Sequence, residues 1–259
     1  ETGNIVHVDG SVDPVRDKEI IDTELQLKDL ETVEARMAKA EKAARSGDKT
    51  ARALMAVLEP VRQALLQGRS ARTAEPEGDD DRRLFRELML LTAKPVLYVC
   101  NVDEGAAVSG NEYSARVAGL ARAEGADTLV VAAAAEADIA ELDTEEERAE
   151  FLEALGLESS GVARLIRAAY ALLGLKTYFT AGPDEVRAWT FRRGSKAPRC
   201  AGIIHTDFEK GFIRAEVIKY DDYVNLGGEN AVKEAGKMAV EGKEYVVCDG
   251  DIMHFRFNV

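Results

Sequence analysis

The residues best placed to do chemistry are Asn101, Val102, Asp103 and Glu104, which directly follow the apolar run Pro95-Val96-Leu97-Tyr98-Val99-Cys100. A continuous apolar run of this length reads as a strand buried on both faces of a parallel sheet. Open α/β sheets bind their ligands at the carboxyl ends of such strands. An amide and a carboxylate three residues apart can read the edge of a purine through hydrogen bonds. A short acid at the last position would accept the N1 and N2 protons of guanine. Glu104 carries its carboxylate further out, and adenine, which has no such protons, needs no acid there. Taken alone, the string is also that of an ordinary polar loop.

A second run of strand character, 129–131, leads into Ala132-Ala133-Ala134-Ala135-Glu136. Small side chains after a strand let a flat base approach the backbone amides. They suit a helix start packed with small residues equally well. A third group spans 186–199, where Arg187, Arg192, Arg193, Lys196 and Arg199 occur with no acid among them. If this segment begins as a strand, Arg187, Trp189 and Phe191 share a face. Cations beside an aromatic suit an RNA backbone and base stacking; the bland alternative makes Trp189 and Phe191 core residues flanked by solvated charge. His205-Thr206-Asp207 suggests acid–base work, but no G-x-S-x-G elbow accompanies it, so His205 reads as structural. Cys200, next to Arg199, would have a lowered thiol pKa if exposed. Cys100, at the end of a buried strand, reads as inert.

Composition limits what these groups can serve. The chain has 259 residues, 34 Lys plus Arg against 47 Asp plus Glu, and a formal charge of −13. That balance disfavours non-specific duplex DNA binding, which depends on cations neutralising phosphates. No apolar run reaches the roughly 18–20 residues needed to span a membrane. Three isolated cysteines without CxxC exclude a disulfide scaffold and a Cys-only zinc site, and fit a reducing cytosol. His7, His205 and His254 show no metal-ligand spacing.

The elements that must position these groups are legible in outline. Residues 4–8 read as a strand with nothing before it to pair with, so the natural start is expected upstream. Leu27, Leu30, Val33, Met37, Ala40 and Ala44 step by threes and fours, and Ala51, Leu54, Leu58, Val61 and Leu65 resume the pattern after Ser46-Gly47-Asp48. That predicts two amphipathic helices in a coiled-coil-like hairpin, with Pro60 kinking or resetting the second. Residues 68–82 read as a polar loop, followed by a helix near 84–91. Runs 95–100 and 129–131 with a helix between them at 111–123 make a strand–helix–strand unit of a parallel sheet. Thr144 to Glu147 is a capping box, and 163–173 is another helix. From residue 175 short strands at 178–179, 186–191, 212–220, 245–247 and 252–257 alternate with short helices near 201 and 230–235. This α+β portion is neutral: 174–259 holds 13 basic and 13 acidic residues. No G-x-x-x-x-G-K-[ST] string occurs, so no phosphate cradle or magnesium ligand is identified.

The chain as a whole resembles the YchF subfamily of Obg-related P-loop NTPases, also called Obg-like ATPases. The resemblance is strongest at Tyr178 to Thr190, Gly194, Lys196 to Pro198, Ile204 to Ile213, Asp249 to Ile252 and Phe255 to Val259. These strings are similar to the family's C-terminal TGS domain, a β-grasp module. Gly10 to Pro14 and Pro95 to Glu104 are similar to its nucleotide domain, and residues 20–91 correspond to its helical insertion.

The resemblance implies an α/β fold. A partial P-loop NTPase domain (1–19 and 92–173) carries a helical coiled-coil insertion (20–91) and is followed by a TGS domain (174–259). It implies a cytoplasmic, translation-, stress- or redox-associated ATPase that uses magnesium, prefers ATP to GTP and docks on the ribosome or RNA. Asn101 and Glu104 would be its N-x-x-E base-reading motif, Val102 its backbone contact to adenine, and Ala132, Ala133 and Ala134 the loop under the base. The family's phosphate loop, switch regions and magnesium ligands are expected upstream of Glu1. This chain by itself would then keep only base recognition. The alternative is an RNA- or ribosome-binding module, TGS domain plus hairpin, without catalysis of its own.

Overall fold

The computed structural model describes residues 10–182 and 185–258; the run 4–8 and His7 lie outside the described residues. The chain divides into two compact units, 1–165 and 166–259.

In the first unit, α1 (Pro14–Arg45) opens on Asp13, whose carboxylate accepts the Val15 amide at 3.1 Å. Proline at the first helical position loses no hydrogen bond, because that N–H has no partner inside a helix. At 1.5 Å per residue α1 is about 48 Å long. It turns at Ser46 and Gly47, the latter at φ +98°, into α2 (Lys49–Leu66), capped by Asp48 through the Ala51 amide at 3.0 Å. Pro60 does not reset α2, which runs through it unbroken. The carbonyl it leaves without a donor belongs to exposed Ala56 and is within reach of water. Val33, Val57, Leu58, Val61 and Leu65 form the buried seam. Leu27, expected on that face, is 60% exposed.

The expected polar loop at 68–82 holds more structure than its composition suggests. A 3-10 turn spans Ala71–Ala74, and α3 runs Asp79–Glu87. Asp79, Asp80 and Asp81 are thus its first turn, where acids complement the helix dipole. Phe85, Leu88 and Leu90 add to the hairpin core. The tie that holds this return segment is Asp29 on α1, which is 2% exposed. Its carboxylate accepts the Leu91 amide at 2.8 Å and both the amide and hydroxyl of Thr92 at 2.7 Å. The Thr92 hydroxyl oxygen accepts the Ala71 amide at 2.8 Å.

Strands β1 (Leu97–Asn101) and β2 (Asp127–Val131) pair in parallel, with Leu97 opposite Asp127 and Asn101 opposite Val131. The crossover is α4 (Glu112–Ala123), opened by a capping box between Asn111 and Ser114. Burial of β1 on both faces is not observed: Val99 is 48% exposed and lines an open cleft with Val12, Ile21 and Val117. After β2 come α5 (Ala133–Glu141), α6 (Glu145–Ala154) with the expected Thr144–Glu147 capping box, and α7 (Gly161–Leu172).

The second unit is built on a five-stranded sheet of β3 (Leu175–Ala181), β4 (Val186–Arg192), β5 (Phe212–Ile218), β6 (Ala239–Glu241) and β7 (Ile252–Phe257), ordered β4-β3-β7-β5-β6. Pairing is antiparallel except for β3 with β7. Consecutive residues point to opposite faces, and both faces carry apolar cores. Tyr178, Val217 and Met253 pack with Cys200 and Ala201 of α8 (Ala197–Ile204) and with Phe208 of α9 (Thr206–Lys210). Their neighbours Phe179, Ile218 and Ile252 pack with Tyr223 of α10 (Tyr220–Leu226) and Val232 of α11 (Glu229–Glu234). The expected strand at 245–247 is a single bridge, Val246 to Lys196. What orders that segment is Asp251, fully buried, which accepts from Lys219 Nζ at 2.6 Å, the Tyr245 hydroxyl at 2.7 Å and the Cys248 amide at 2.8 Å.

Cys200 corrects the reading of a reactive thiol. It is fully buried, and burial pushes its thiol up to about 12 despite the neighbouring Arg199. Cys248 is exposed. Iodoacetamide at mildly alkaline pH should therefore alkylate Cys248 in the folded protein and reach Cys200 only on unfolding, as peptide mass mapping with and without denaturant would register. Removing the Asp29 carboxylate strands two amides and a hydroxyl in a dry site. Asp29→Ala should lower stability by about 3 kcal/mol, measured by urea unfolding, whereas exposed Glu31→Ala should change it by less than about 0.5 kcal/mol.

Candidate functional site

The two loops singled out by sequence lie at the carboxyl ends of adjacent parallel strands. A parallel pair necessarily puts both ends on one edge. Asn101 is the last residue of β1, and its side-chain oxygen accepts the amide of Ala133, the first residue of α5, at 3.0 Å. The Val102 amide donates to the Val131 carbonyl at 2.9 Å, continuing the ladder one step past the strands. The Val102 side chain packs against the cluster of Ala107, Ala132 and Ala135, as Phe151 of α6 does. Ala133 and Ala134 are exposed, whereas Ala132 is buried. Alanine at 132 fills this core, and alanine at 133 and 134 leaves the α5 N-terminus open to a flat ligand. Glu104 opens a 3-10 turn, Glu104–Ala106, and is exposed.

Glu136 is a member of this site that the residue pattern did not reveal. From the first turn and a half of α5 its carboxylate accepts the Gly161 amide at 2.5 Å and the Val162 amide at 3.1 Å, capping α7. A negative charge there is favoured by the helix dipole. A Cβ on Gly161 would come within 2.9 Å of both Glu136 Oε1 and Val131 Cγ1, so glycine is what permits the approach. The α5 loop is thus held from one side by Asn101 and from the other by α7. The signal available in sequence was an acid followed 25 residues later by glycine at a helix start, which no local pattern flags.

A cleft of about 470 Å³ runs beside β1, lined by Val12, Ile21, Tyr98, Cys100, Asn101 and Val117 among others. At its rim Lys18 bonds to Asp22 at 2.6 Å and to Glu124, which also receives Arg72 at 3.3 Å and the Tyr98 hydroxyl at 3.2 Å. Burial alone would lower the Lys18 ammonium, but these two acidic partners outweigh it and hold it above its ordinary value.

The cationic segment is sorted by the second unit's sheet. Arg187, Trp189 and Phe191 do share a face of β4, but with different fates. Phe191 is buried in the core, Trp189 is half-buried and donates its indole N–H to Thr180 at 2.9 Å, and Arg187 lies 4.6 Å over the indole ring while pairing with Glu185 at 3.6 Å. Lys196 pairs with Glu244, and Arg199 with Glu209 at 3.4 Å. Among the described residues, Arg192 and Arg193 alone of the five make no ion pair. Arg193 lines a cleft of about 520 Å³ with Lys176, Tyr170 and Asp249. His205 is exposed, and its Nδ1 accepts the Asp207 amide at 3.2 Å as the cap of α9. Among the described residues no group of three or more His, Cys, Asp and Glu gathers as a metal would require. No helix among them is long and apolar enough to cross a membrane.

Comparison with known proteins agrees with this architecture. Residues 175–258 match the family model YchF-GTPase_C, described as a protein of unknown function (DUF933). The chain is 52% identical over 258 residues to the ribosome-binding ATPase YchF of Bacillus subtilis (strain 168), covering 99% of this chain and 70% of that protein. It is 50% identical over 259 residues to the ribosome-binding ATPase YchF of Escherichia coli O157:H7, with 100% and 70% covered. It is 44% identical over 263 residues to the Obg-like ATPase 1 of Rattus norvegicus, with 100% and 66% covered. The solved structure of the Schizosaccharomyces pombe YchF GTPase superposes with a TM-score of 0.86 at 37% identity, over 99% of this chain and 69% of that one. With identity of this degree along nearly its whole length and the same mixed α/β fold, the chain belongs to the YchF family.

Proposed function

We propose that this chain supplies the base-recognition half of an ATP-binding, ATP-hydrolysing site in a cytoplasmic protein that docks on the ribosome. The observation that carries the reading is the hydrogen bond from the Ala133 amide to Asn101, which locks the two loops of a base pocket to each other. With the Val102 amide engaged by Val131, the Val102 carbonyl is the backbone group left to accept from adenine's exocyclic amine. Guanine offers a carbonyl at that position, and Glu104 lies too far out for the short-acid contact to its N1 and N2 protons. Preference for ATP over GTP follows. In this reading residues 1–19 and 92–173 belong to the nucleotide domain, 20–91 to its helical insertion and 174–259 to a TGS domain. The described residues gather no cluster of oxygen ligands for magnesium. Magnesium and the phosphates, when bound, supply the electrostatics of phosphoryl transfer, and the role assigned to this chain's residues is to hold the base.

The names of the relatives, and the two unpaired arginines of the second unit, support ribosome docking. Among the described residues Arg192 and Arg193 make no ion pair while their three neighbours do, so they are the cations of this segment proposed to meet RNA phosphate.

Calorimetric titration with ATP and with GTP, magnesium present, tests the base site. Tighter binding of ATP is expected, and Asn101→Ala should weaken it about tenfold, the value of one hydrogen bond of about 1.4 kcal/mol. Equal affinity for the two nucleotides, or an Asn101→Ala variant that binds like the parent, would refute the assignment. For docking, co-sedimentation with ribosomes should fall in the Arg192→Glu/Arg193→Glu double variant; unchanged pelleting would remove these two residues from the contact.

A further inference from the structure

The five-stranded sheet of the second unit has two edges, and they are guarded differently. β6, at one edge, is three residues long, and so short a strand offers little for another chain to pair with. β4, at the other edge, is seven residues long and pairs with β3 in an unbroken register. It contains no proline and no bulge. Val186, Arg187, Ala188, Thr190 and Arg192 are exposed.

The phase of the β3–β4 ladder shows which backbone groups this edge presents. In an antiparallel pair every second residue bonds to the neighbouring strand, and the residues between turn their N–H and C=O away. The Gly182 amide donates to the Glu185 carbonyl at 2.9 Å, and the Arg193 amide to the Gly174 carbonyl at 2.7 Å. These bonds close the two ends of the ladder, so 185, 187, 189, 191 and 193 face β3. Val186, Ala188, Thr190 and Arg192 direct their backbone groups outward. The Arg192 carbonyl is taken by the Ser195 amide at 3.1 Å. Among the described residues nothing bonds to the amides or carbonyls of Val186, Ala188 and Thr190. Donor and acceptor pairs therefore recur along the edge about every 6.8 Å, the repeat of a strand.

Another strand meets this pattern, because it supplies acceptors for the amides and donors for the carbonyls. A row of phosphates only accepts, and would leave the outward carbonyls without donors. The side chains narrow the choice further. Residues 186–193 hold Arg187, Arg192 and Arg193 and no acid. Glu185 reaches Arg187 at 3.6 Å, an exposed pair of small value that a competing carboxylate replaces readily. A second copy of β4 would set like charges across the new pair, which is destabilising. The arginines that keep copies apart favour a strand that carries acids. Alternation places Arg187, Trp189 and Arg193 toward one face of the sheet and Val186, Ala188 and Thr190 toward the other. Arg187 lies over the Trp189 ring, and Val186 is 73% exposed. A strand with acids on the first face and aliphatic residues on the second matches both sets.

We propose that the free edge of β4 docks an acidic, extended segment of a partner protein. The segment adds to the sheet through the main chain of Val186, Ala188 and Thr190, and its carboxylates meet Arg187, Arg192 and Arg193. This goes beyond the ribosome-docking reading and does not depend on it, since that reading uses the side chains of Arg192 and Arg193 and no main-chain group.

The test titrates the full chain with a fluorescein-labelled peptide of about ten residues alternating Glu and Val, followed by anisotropy, beside a Lys–Val peptide of equal length and a labelled single-stranded RNA. The Glu–Val peptide is expected to bind, and the Lys–Val peptide to bind at least about tenfold more weakly. Residue-resolved amide hydrogen exchange reads the mode. With the Glu–Val peptide bound, the Ala188 and Thr190 amides should exchange at least about tenfold more slowly, while those of Trp189 and Phe191, already bonded to β3, should not change. Proline at 188 removes an outward donor and no ladder bond, a place where an edge strand tolerates it. Ala188→Pro should therefore keep the parent's melting midpoint and weaken the peptide at least about tenfold, and Ala188→Val, which keeps the donor, should bind like the parent. Arg187→Gln/Arg192→Gln/Arg193→Gln should weaken binding and flatten its dependence on salt. A parent that binds neither peptide, or both equally, overturns the proposal. So does peptide binding that leaves exchange at Ala188 and Thr190 unaltered, a result that holds even where the proline variant fails to fold. RNA that slows these two amides when the peptide does not would reassign the edge to nucleic acid. The two readings fail separately. Peptide binding with no fall in ribosome pelleting for Arg192→Glu/Arg193→Glu removes the docking contact and leaves the edge, and the reverse result removes the edge alone.

Discussion

The hydrogen bond between the Asn101 side chain and the Ala133 amide is the constraint on which the carboxyl edge of the two-stranded sheet depends. A loop after a strand has many conformations, and fixing each residue's backbone costs about 1–2 kcal/mol in entropy. Two loops that must present themselves together to a flat ligand need a link that does not pass through the ligand. Parallel pairing of β1 with β2 brings their ends to one edge, the Val102 amide extends that pairing by one bond, and Asn101 then reaches across to hold the start of α5. Glu136 secures α5 from the opposite side through the α7 amides. Binding a base to loops already set in this way avoids most of the ordering cost that flexible loops would impose.

The same device recurs elsewhere. Asp29 and Glu136 are acids whose oxygens accept backbone amides from segments distant in sequence, and Asp251 accepts the Cys248 amide of its own loop together with the Lys219 ammonium from β5's end. A carboxylate can accept several hydrogen bonds at once, so one side chain can satisfy the donors of a segment that has no helix or sheet ladder to bond them. This explains why 88–93 and 245–251, which lack regular secondary structure over most of their length, are ordered. It also explains why such sites are sensitive. A buried acceptor that is removed leaves several donors unsatisfied, a heavier loss than the net value of any one bond.

What could be read from sequence divides along the same line. The α1–α2 seam, the strand–helix–strand unit, the Thr144 capping box and most strands of the second unit follow from periodicity and caps, which are local. Asp29 could not be read in this way, because an acid at that position on a helix pattern looks like a solvated residue, and its partners lie 62 and 63 residues away. Of the two outcomes expected at Pro60, a reset start is not seen, because the carbonyl freed by the lost hydrogen bond belongs to exposed Ala56 and meets water. Cys200 misled because its neighbour Arg199 is adjacent in sequence while its environment is a core formed by Tyr178, Val217 and Met253. Of the candidate site, the position of 101–104 and 132–134 at the ends of adjacent strands was legible. The bond that joins the two loops was not, since it depends on which of two polar atoms on Asn101 faces α5.

Net charge proved the least informative of the global quantities, for a reason that lies in length scales. Screening at physiological salt limits the reach of a surface charge to about 8 Å. Along α1, Asp22 and Arg36 are 14 residues apart, about 21 Å at the helical rise, so the acids near the base of the hairpin do not cancel the cations at its far end. A chain of −13 can therefore present a local surface of the opposite sign, provided the cations sit on an element long enough to separate them from the rest. The hairpin meets that condition, with its apolar seam continuous enough to keep two helices together and its end free of apolar side chains. In this chain the coiled coil acts as a spacer as much as a packing motif.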